Sequence, residues 1–149
     1  MSLPVDALRM SAPVGAVTFT VHGKSATKGS SVSFLGEAGA VVTKADNRRL
    51  GEWTQAVAWS AKVAGVRRIP KPRAAGVRLV LVFPRPPRVS VAARPYMTVP
   101  PDVDKCLRAA LDALTGIAYD DDAQIVVSSQ IKVYGDRAET IIQVWEVRP

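Results

Sequence analysis

Six of the 18 residues at 84–101 (PRPPRVSVAARPYMTVPP) are proline. Proline donates no backbone hydrogen bond and fixes φ, so neither a helix nor an interior strand can run through this stretch. It divides the chain into two blocks of regular structure and is too long for a passive connection. In the first block, residues 16–22 (AVTFTVH) alternate apolar and small polar groups and read as a strand, ended by Gly23. The segment GKSATKGSS reads as a loop carrying Lys24 and Lys28, and VSFL and AVV as a short hairpin around Gly36 and Gly39. Asp46 can cap a helix in which Leu50, Trp53, Val57, Ala61 and Ala64 recur at helical spacing up to Gly65. Trp53 and Trp59 are read as packing or helix-flank residues rather than stacking platforms. After the basic connector VRRIPKPRAAG, residues 77–83 (VRLVLVF) form a strand. Beyond Pro101, the spacing of Val103, Leu107, Leu111 and Leu114 predicts a helix over 104–115, stopped by Gly116. QIVVSSQIKVY and ETIIQVWEV, joined at Gly135-Asp136, predict a C-terminal hairpin. The order of elements predicts one α+β domain, a mixed β-sheet with two main helices packed on it. Residues 1–14 hold two prolines and no sustained period, so they read as a flexible leader to a domain over 15–149.

Charge is distributed unevenly along these elements. The net charge is +7, yet residues 1–101 carry 15 Lys/Arg against 4 Asp/Glu and residues 102–149 carry 5 against 9. An excess of positive charge suits a polyanionic partner, most often nucleic acid. Lys24 and Lys28, with Arg85, Arg88 and Arg94 of the proline-rich segment, are the candidates to hold a DNA backbone. The only cysteine, Cys106, and the only histidine, His22, exclude an internal disulfide and a His/Cys zinc site. A metal would therefore be held by oxygen, which suits Mg²⁺, Mn²⁺ or Ca²⁺. No uninterrupted apolar run approaches the roughly 18 residues that span a bilayer. The N-terminus also lacks the pattern of a secretory signal, so a soluble intracellular protein without a membrane partner is expected.

Six of the 13 acids fall between Asp102 and Asp122. One aspartate at a helix start is ordinary, because it accepts hydrogen bonds from free amides and favours the positive end of the dipole. Asp102 and Asp104, followed after helix and turn by Asp120, Asp121 and Asp122, exceed that need. Two carboxylates about 4 Å apart repel by about 4 kcal/mol at an effective dielectric of 20. If three converge, they require protons or a cation, and Mg²⁺ answers with carboxylate, water and phosphate oxygens. Asp104, Arg108 and Asp112 share the helix face opposite the leucines, so Arg108 lies one turn from the acids. The plainer reading of that face is a surface ion-pair ladder. The acidic spacing does not match a calcium-binding EF-hand loop.

The stretch PDVDKCLRAALDALTGIAYDDDAQI resembles the RusA family of Holliday junction resolvases, whose pattern runs P-D-x-D-N-x-x-K, then L-D-A-L-x-G, then D-D-x-Q-I. The matching residues are Pro101, Asp102, Asp104 and Arg108; then Leu111, Asp112, Ala113, Leu114 and Gly116; then Asp121, Asp122, Gln124 and Ile125. The resemblance implies a RusA-like fold and a homodimeric, Mg²⁺-dependent endodeoxyribonuclease making paired nicks in four-way junction DNA. Mn²⁺ is a possible substitute, and no organic cofactor is implied. By position it makes Asp102, Asp104, Asp122 and Arg108 the catalytic candidates and Asp102, Asp104, Asp122 and Asp121 the metal ligands. It also implies work in the bacterial cytoplasm, encoded by the host, a phage or a prophage. Two departures stand out: Lys105 replaces the usual Asn and adds a DNA-facing cation, and Arg108 replaces the usual Lys, which keeps charge but not a compact ammonium. The alternatives are a cleavage-deficient junction-binding protein and a broader flap or fork nuclease.

Overall fold

The computed structural model describes residues 12–29, 32–35, 41–44 and 47–149. Along the chain these form β1 (Val17–His22), β2 (Val32–Leu35), β3 (Val41–Lys44), α1 (Asn47–Val63), β4 (Ala74–Pro84), α2 (Val103–Leu114), a 3-10 turn (Asp122–Gln124), β5 (Ile125–Gly135) and β6 (Glu139–Val147). This is the order that periodicity implies. The Asp46 cap, the turn at Gly36 and Gly39 and most of the leader lie outside the described residues. One mixed sheet runs β1-β6-β4-β5, and β2 and β3 pair separately as an antiparallel hairpin. No helix among the described residues is long and apolar enough to cross a membrane.

The expected C-terminal hairpin does not form. β4 lies between β5 and β6, parallel to β5 (Val77 opposite Ser128) and antiparallel to β6 (Val77 opposite Val144). The reason lies in which strand is apolar on both faces. In β4, Val77, Leu79, Leu81 and Phe83 join clusters with helix residues, while Val80 and Val82 pack with Ile141 on the opposite face. Such a strand is stable in the interior of a sheet. β5 carries Ser128, Ser129, Gln130 and Lys132 and takes the edge, where polar side chains stay wet. Pro84, opposite Gly135, closes the β4–β5 ladder, and the short link from β5 to β6 passes that end of β4.

The main core joins Trp53, Val57 and Ala61 of α1 and Ala109, Ala110 and Leu114 of α2 to Phe19, Val21, Val77, Leu79 and Ile142 of the sheet. Trp53 is thus a packing residue at 4 % exposure, whereas Trp59 stands at 71 % on the outer flank of α1. Parallel β4 and β5 require a crossover, and α2 supplies it by running back against both strands. The start of α2 therefore sits at the carboxyl ends of β4 and β5, where Cys106 packs with Leu81 and Phe83. Its end lies at their amino ends, where Ala118 and Tyr119 join the main core.

Candidate active site

Asp102 stands at the N-cap of α2 with extended backbone (φ −71°, ψ 133°), yet its side chain makes no capping hydrogen bond. Helix capping thus leaves this carboxylate unexplained. The approach to it is fixed from β5: the Lys132 ammonium donates to the Val99 carbonyl at 2.7 Å and the Pro101 carbonyl at 3.0 Å. Asp102 is paired instead with Lys105, Nζ to Oδ2 at 2.9 Å, and both partners are about half exposed. This ammonium, by hydrogen bond and by charge, holds the Asp102 carboxyl below its ordinary value of 3.8. Asp104 is exposed one residue into the helix and also lies within electrostatic reach of Lys105.

The ion-pair ladder along α2 is not built. Asp112 pairs with Lys28 of the loop after β1, and Arg108 is exposed with no acid partner among the described residues. Arg108 is thus left one turn beyond Asp104 with its guanidinium available to an anion.

Beyond α2, Gly116 adopts a positive φ of 83° and turns the chain into the second group of acids. Two of the three are structural. Asp120 accepts hydrogen bonds from the Arg68 guanidinium and, at 2.9 Å, from the Lys71 amide. Asp121 accepts from Lys71 Nζ at 2.8 Å and caps the 3-10 turn through the Ala123 amide at 2.9 Å. The Lys71 amide is the main cause that lowers Asp120, and the Lys71 ammonium the main cause that lowers Asp121. Gln124 locks the turn: its carbonyl accepts from the amides of Asp120 and Asp121, and its amide donates to the carbonyls of Ile69 and Arg73. Asp122 alone is exposed and unpaired with any cation among the described residues.

Asp102 and Asp104 on one side and Asp122 on the other are not brought together within one chain. Ten residues of α2, from Lys105 to Leu114, lie between Asp104 and the second group, about 15 Å of helix at 1.5 Å per residue. Among the described residues no three His, Cys, Asp or Glu side chains sit close enough to hold one metal ion. Asp102 and Asp104 by themselves suit Mg²⁺, which is commonly held by one or two carboxylates with water and substrate phosphates completing the octahedron.

The expected DNA-binding cations sort into two kinds. Lys24 and Arg88 are exposed and unpaired among the described residues. The others hold the protein together. Lys28 is engaged by Asp112 and Lys105 by Asp102. Arg85 lies 4.2 Å over the Tyr134 ring and donates to the Arg94 carbonyl at 2.6 Å. Arg94 in turn donates to the Tyr134 hydroxyl at 3.2 Å. These contacts fold the proline-rich segment down onto β5, so its arginines order the loop and Arg88 is left at its surface. Lys132, Lys71 and Arg68, which hold the two acidic groups in place, were not legible in the sequence, because their partners lie 31 or more residues away along the chain.

No curated protein sequence matches the chain. Residues 35–145 match the family described as Endodeoxyribonuclease RusA, a span that takes in every element from α1 to β5, both acidic groups and nearly all of β6. With that match over most of its length, the chain belongs to the RusA endodeoxyribonuclease family.

Proposed function

We propose that this protein is a Mg²⁺-dependent, structure-specific endodeoxyribonuclease that resolves four-way DNA junctions by paired phosphodiester hydrolysis. The observation that carries this reading is the start of α2: two exposed carboxylates at the carboxyl ends of parallel strands, one turn from an uncommitted arginine. Asp102 and Asp104 would hold the metal, with Asp122 completing its ligands. When bound, Mg²⁺, or Mn²⁺ in its place, supplies activation of water and neutralisation of phosphate charge. Arg108 holds the nonbridging oxygens of the scissile phosphate. Lys24 and Arg88 hold the flanking backbone, with affinity that falls as salt rises. Asp121 supports Asp122 through the turn rather than ligating the metal itself.

Because Asp122 is remote from Asp102 within one chain, we propose that the working unit is a two-fold dimer in which each site joins the α2 start of one copy to Asp122 of the other. Such a dimer offers two equivalent sites to a junction that has two equivalent strands. The domain that does this spans residues 15–149, with residues 1–14 as leader, and acts in the bacterial cytoplasm. Asp104→Asn and Asp122→Asn proteins, assayed on a synthetic four-way junction in Mg²⁺, should each cut more than about 100-fold more slowly while binding in EDTA is unchanged. Cleavage at the original rate by either variant overturns the assignment.

One observation favours a second reading, a junction-binding protein that does not cut: the Lys105 ammonium already neutralises Asp102. Binding without nicks on a denaturing gel, at any Mg²⁺ or Mn²⁺ concentration, would establish it.

A further inference from the structure

A cavity of about 240 Å³ opens beside the start of α2, between the loop after β1, the first turn of α1 and the Pro100-Pro101 dipeptide. Its rim carries Lys24 and Arg49, and its walls include Leu50, Pro100 and Pro101. At about 30 Å³ per water the space corresponds to about eight waters, room for a phosphate with part of its sugar. Buried Ser25 forms its floor, and the Ser25 hydroxyl lies 3.8 Å from Cys106 Sγ. The same loop is tied to α2 by a backbone bond from the Lys28 amide to the Lys105 carbonyl at 3.1 Å. Pocket and acidic pair are therefore parts of one packed unit.

Among the described residues no acid offsets the charge of this pocket. Arg49 donates Nη2 to the Ser25 carbonyl at 2.8 Å, which fixes the plane of its guanidinium and leaves the remainder of the fork for a ligand. No acid pairs with Arg49 or Lys24 among the described residues, and the first turn of α1 carries no acidic residue. Neighbouring cations differ, since Lys28 and Lys105 are neutralised by Asp112 and Asp102. A planar, pre-oriented guanidinium beside a mobile ammonium over an apolar wall fits a phosphate better than a carboxylate-rich or purely apolar partner. The pocket wall ends at Pro101, and Asp102 is the next residue, so the two Cα atoms are about 3.8 Å apart.

We infer that this pocket is a subsite for the DNA strand being cut: Arg49 and Lys24 bind the phosphodiester next to the one held at Asp102 and Asp104. The inference rests on the nuclease reading above and adds Arg49, a residue with no role in it. Seating the neighbouring phosphate fixes the strand's direction across the acidic pair and sets which bond faces it.

The test uses the full chain and synthetic four-way junctions in which each phosphate around the crossover is replaced in turn by a neutral methylphosphonate. Binding is measured in EDTA. Wild-type protein should lose about tenfold in affinity at the phosphate next to the scissile one, as expected for one charge-assisted contact, besides its losses at the phosphates held by Arg108 and Arg88. Arg49→Ala should bind the unmodified junction about tenfold more weakly and be indifferent to the substitution at that position. Lys24→Ala, at an exposed position that no fold contact needs, should show the same indifference in part and lower the salt slope by about 1. Equal sensitivity of wild type and both variants at every position overturns the subsite while leaving the nuclease reading intact. Failure of the wild type to bind any junction removes both.

Discussion

The acid at the start of α2 is engaged by a cation that the family pattern does not usually place there. Lys105 holds Asp102 at 2.9 Å, and a metal ion binding as proposed would have to displace it. Lys105→Asn should therefore lower the Mg²⁺ concentration for half-maximal cleavage, by a few-fold at most for so exposed a pair. An unchanged or higher requirement would show that Lys105 assists at the phosphate instead. The sign of the acid response follows from the same pairs. Asp102, Asp120 and Asp121 all lie below 3.8 in the folded chain because cations and amides face their carboxylates. The unfolded chain then binds more protons than the folded one in acid, so their contribution is complete above about pH 4 and is lost as pH falls through the lowered values. Thermal midpoints measured from neutral pH downward should drop below about pH 4, and Asp120→Asn should flatten part of that fall. The DxD pair is visible in the sequence, but only the resemblance, and not its spacing, marks it as a candidate metal site. That Asp120 and Asp121 serve the fold while Asp122 stays available is not visible there, because Arg68 and Lys71 reach them from about 50 residues away.

Among the elements, periodicity placed α1, α2 and the long strands to within a few residues, since each buries one face or both and the pattern records it. Strand pairing escaped it. A tight link at Gly135-Asp136 is compatible with a hairpin, but β4 is apolar on both faces and takes the position between β5 and β6. The same central strand explains a glycine. Gly76 lies under the Trp145 indole, and a Cβ there would sit 2.3 Å from Cε2 of the ring. Gly76→Ala should destabilise the fold by about 1–3 kcal/mol, read from urea unfolding, because the indole or the strand must shift. A neutral result would mean that Trp145 moves aside at no cost. The proline-rich segment is irregular as composition demands, but its arginines clamp Tyr134 rather than all facing solvent.

At the scale of the molecule, the acids implied as one site are split between the start of α2 and the 3-10 turn that follows it. A dimer that joins them across copies makes a prediction that a site within one chain does not. Asp104→Asn and Asp122→Asn proteins, each inactive alone, should regain cleavage when mixed, since a mixed dimer holds one site with both native acids. That site should nick one strand, and an equal mixture after random exchange should restore about a quarter of the wild-type sites. No recovery after subunit exchange would place all the acids of a site in one copy. Element order and the apolar faces could be read from the sequence, because both depend on residues close together in the chain. Tertiary structure alone decided which strand is central, which carboxylates are neutralised and where a phosphate-sized pocket opens beside the pair. Each of those depends on contacts between distant segments, and local periodicity carries no record of them.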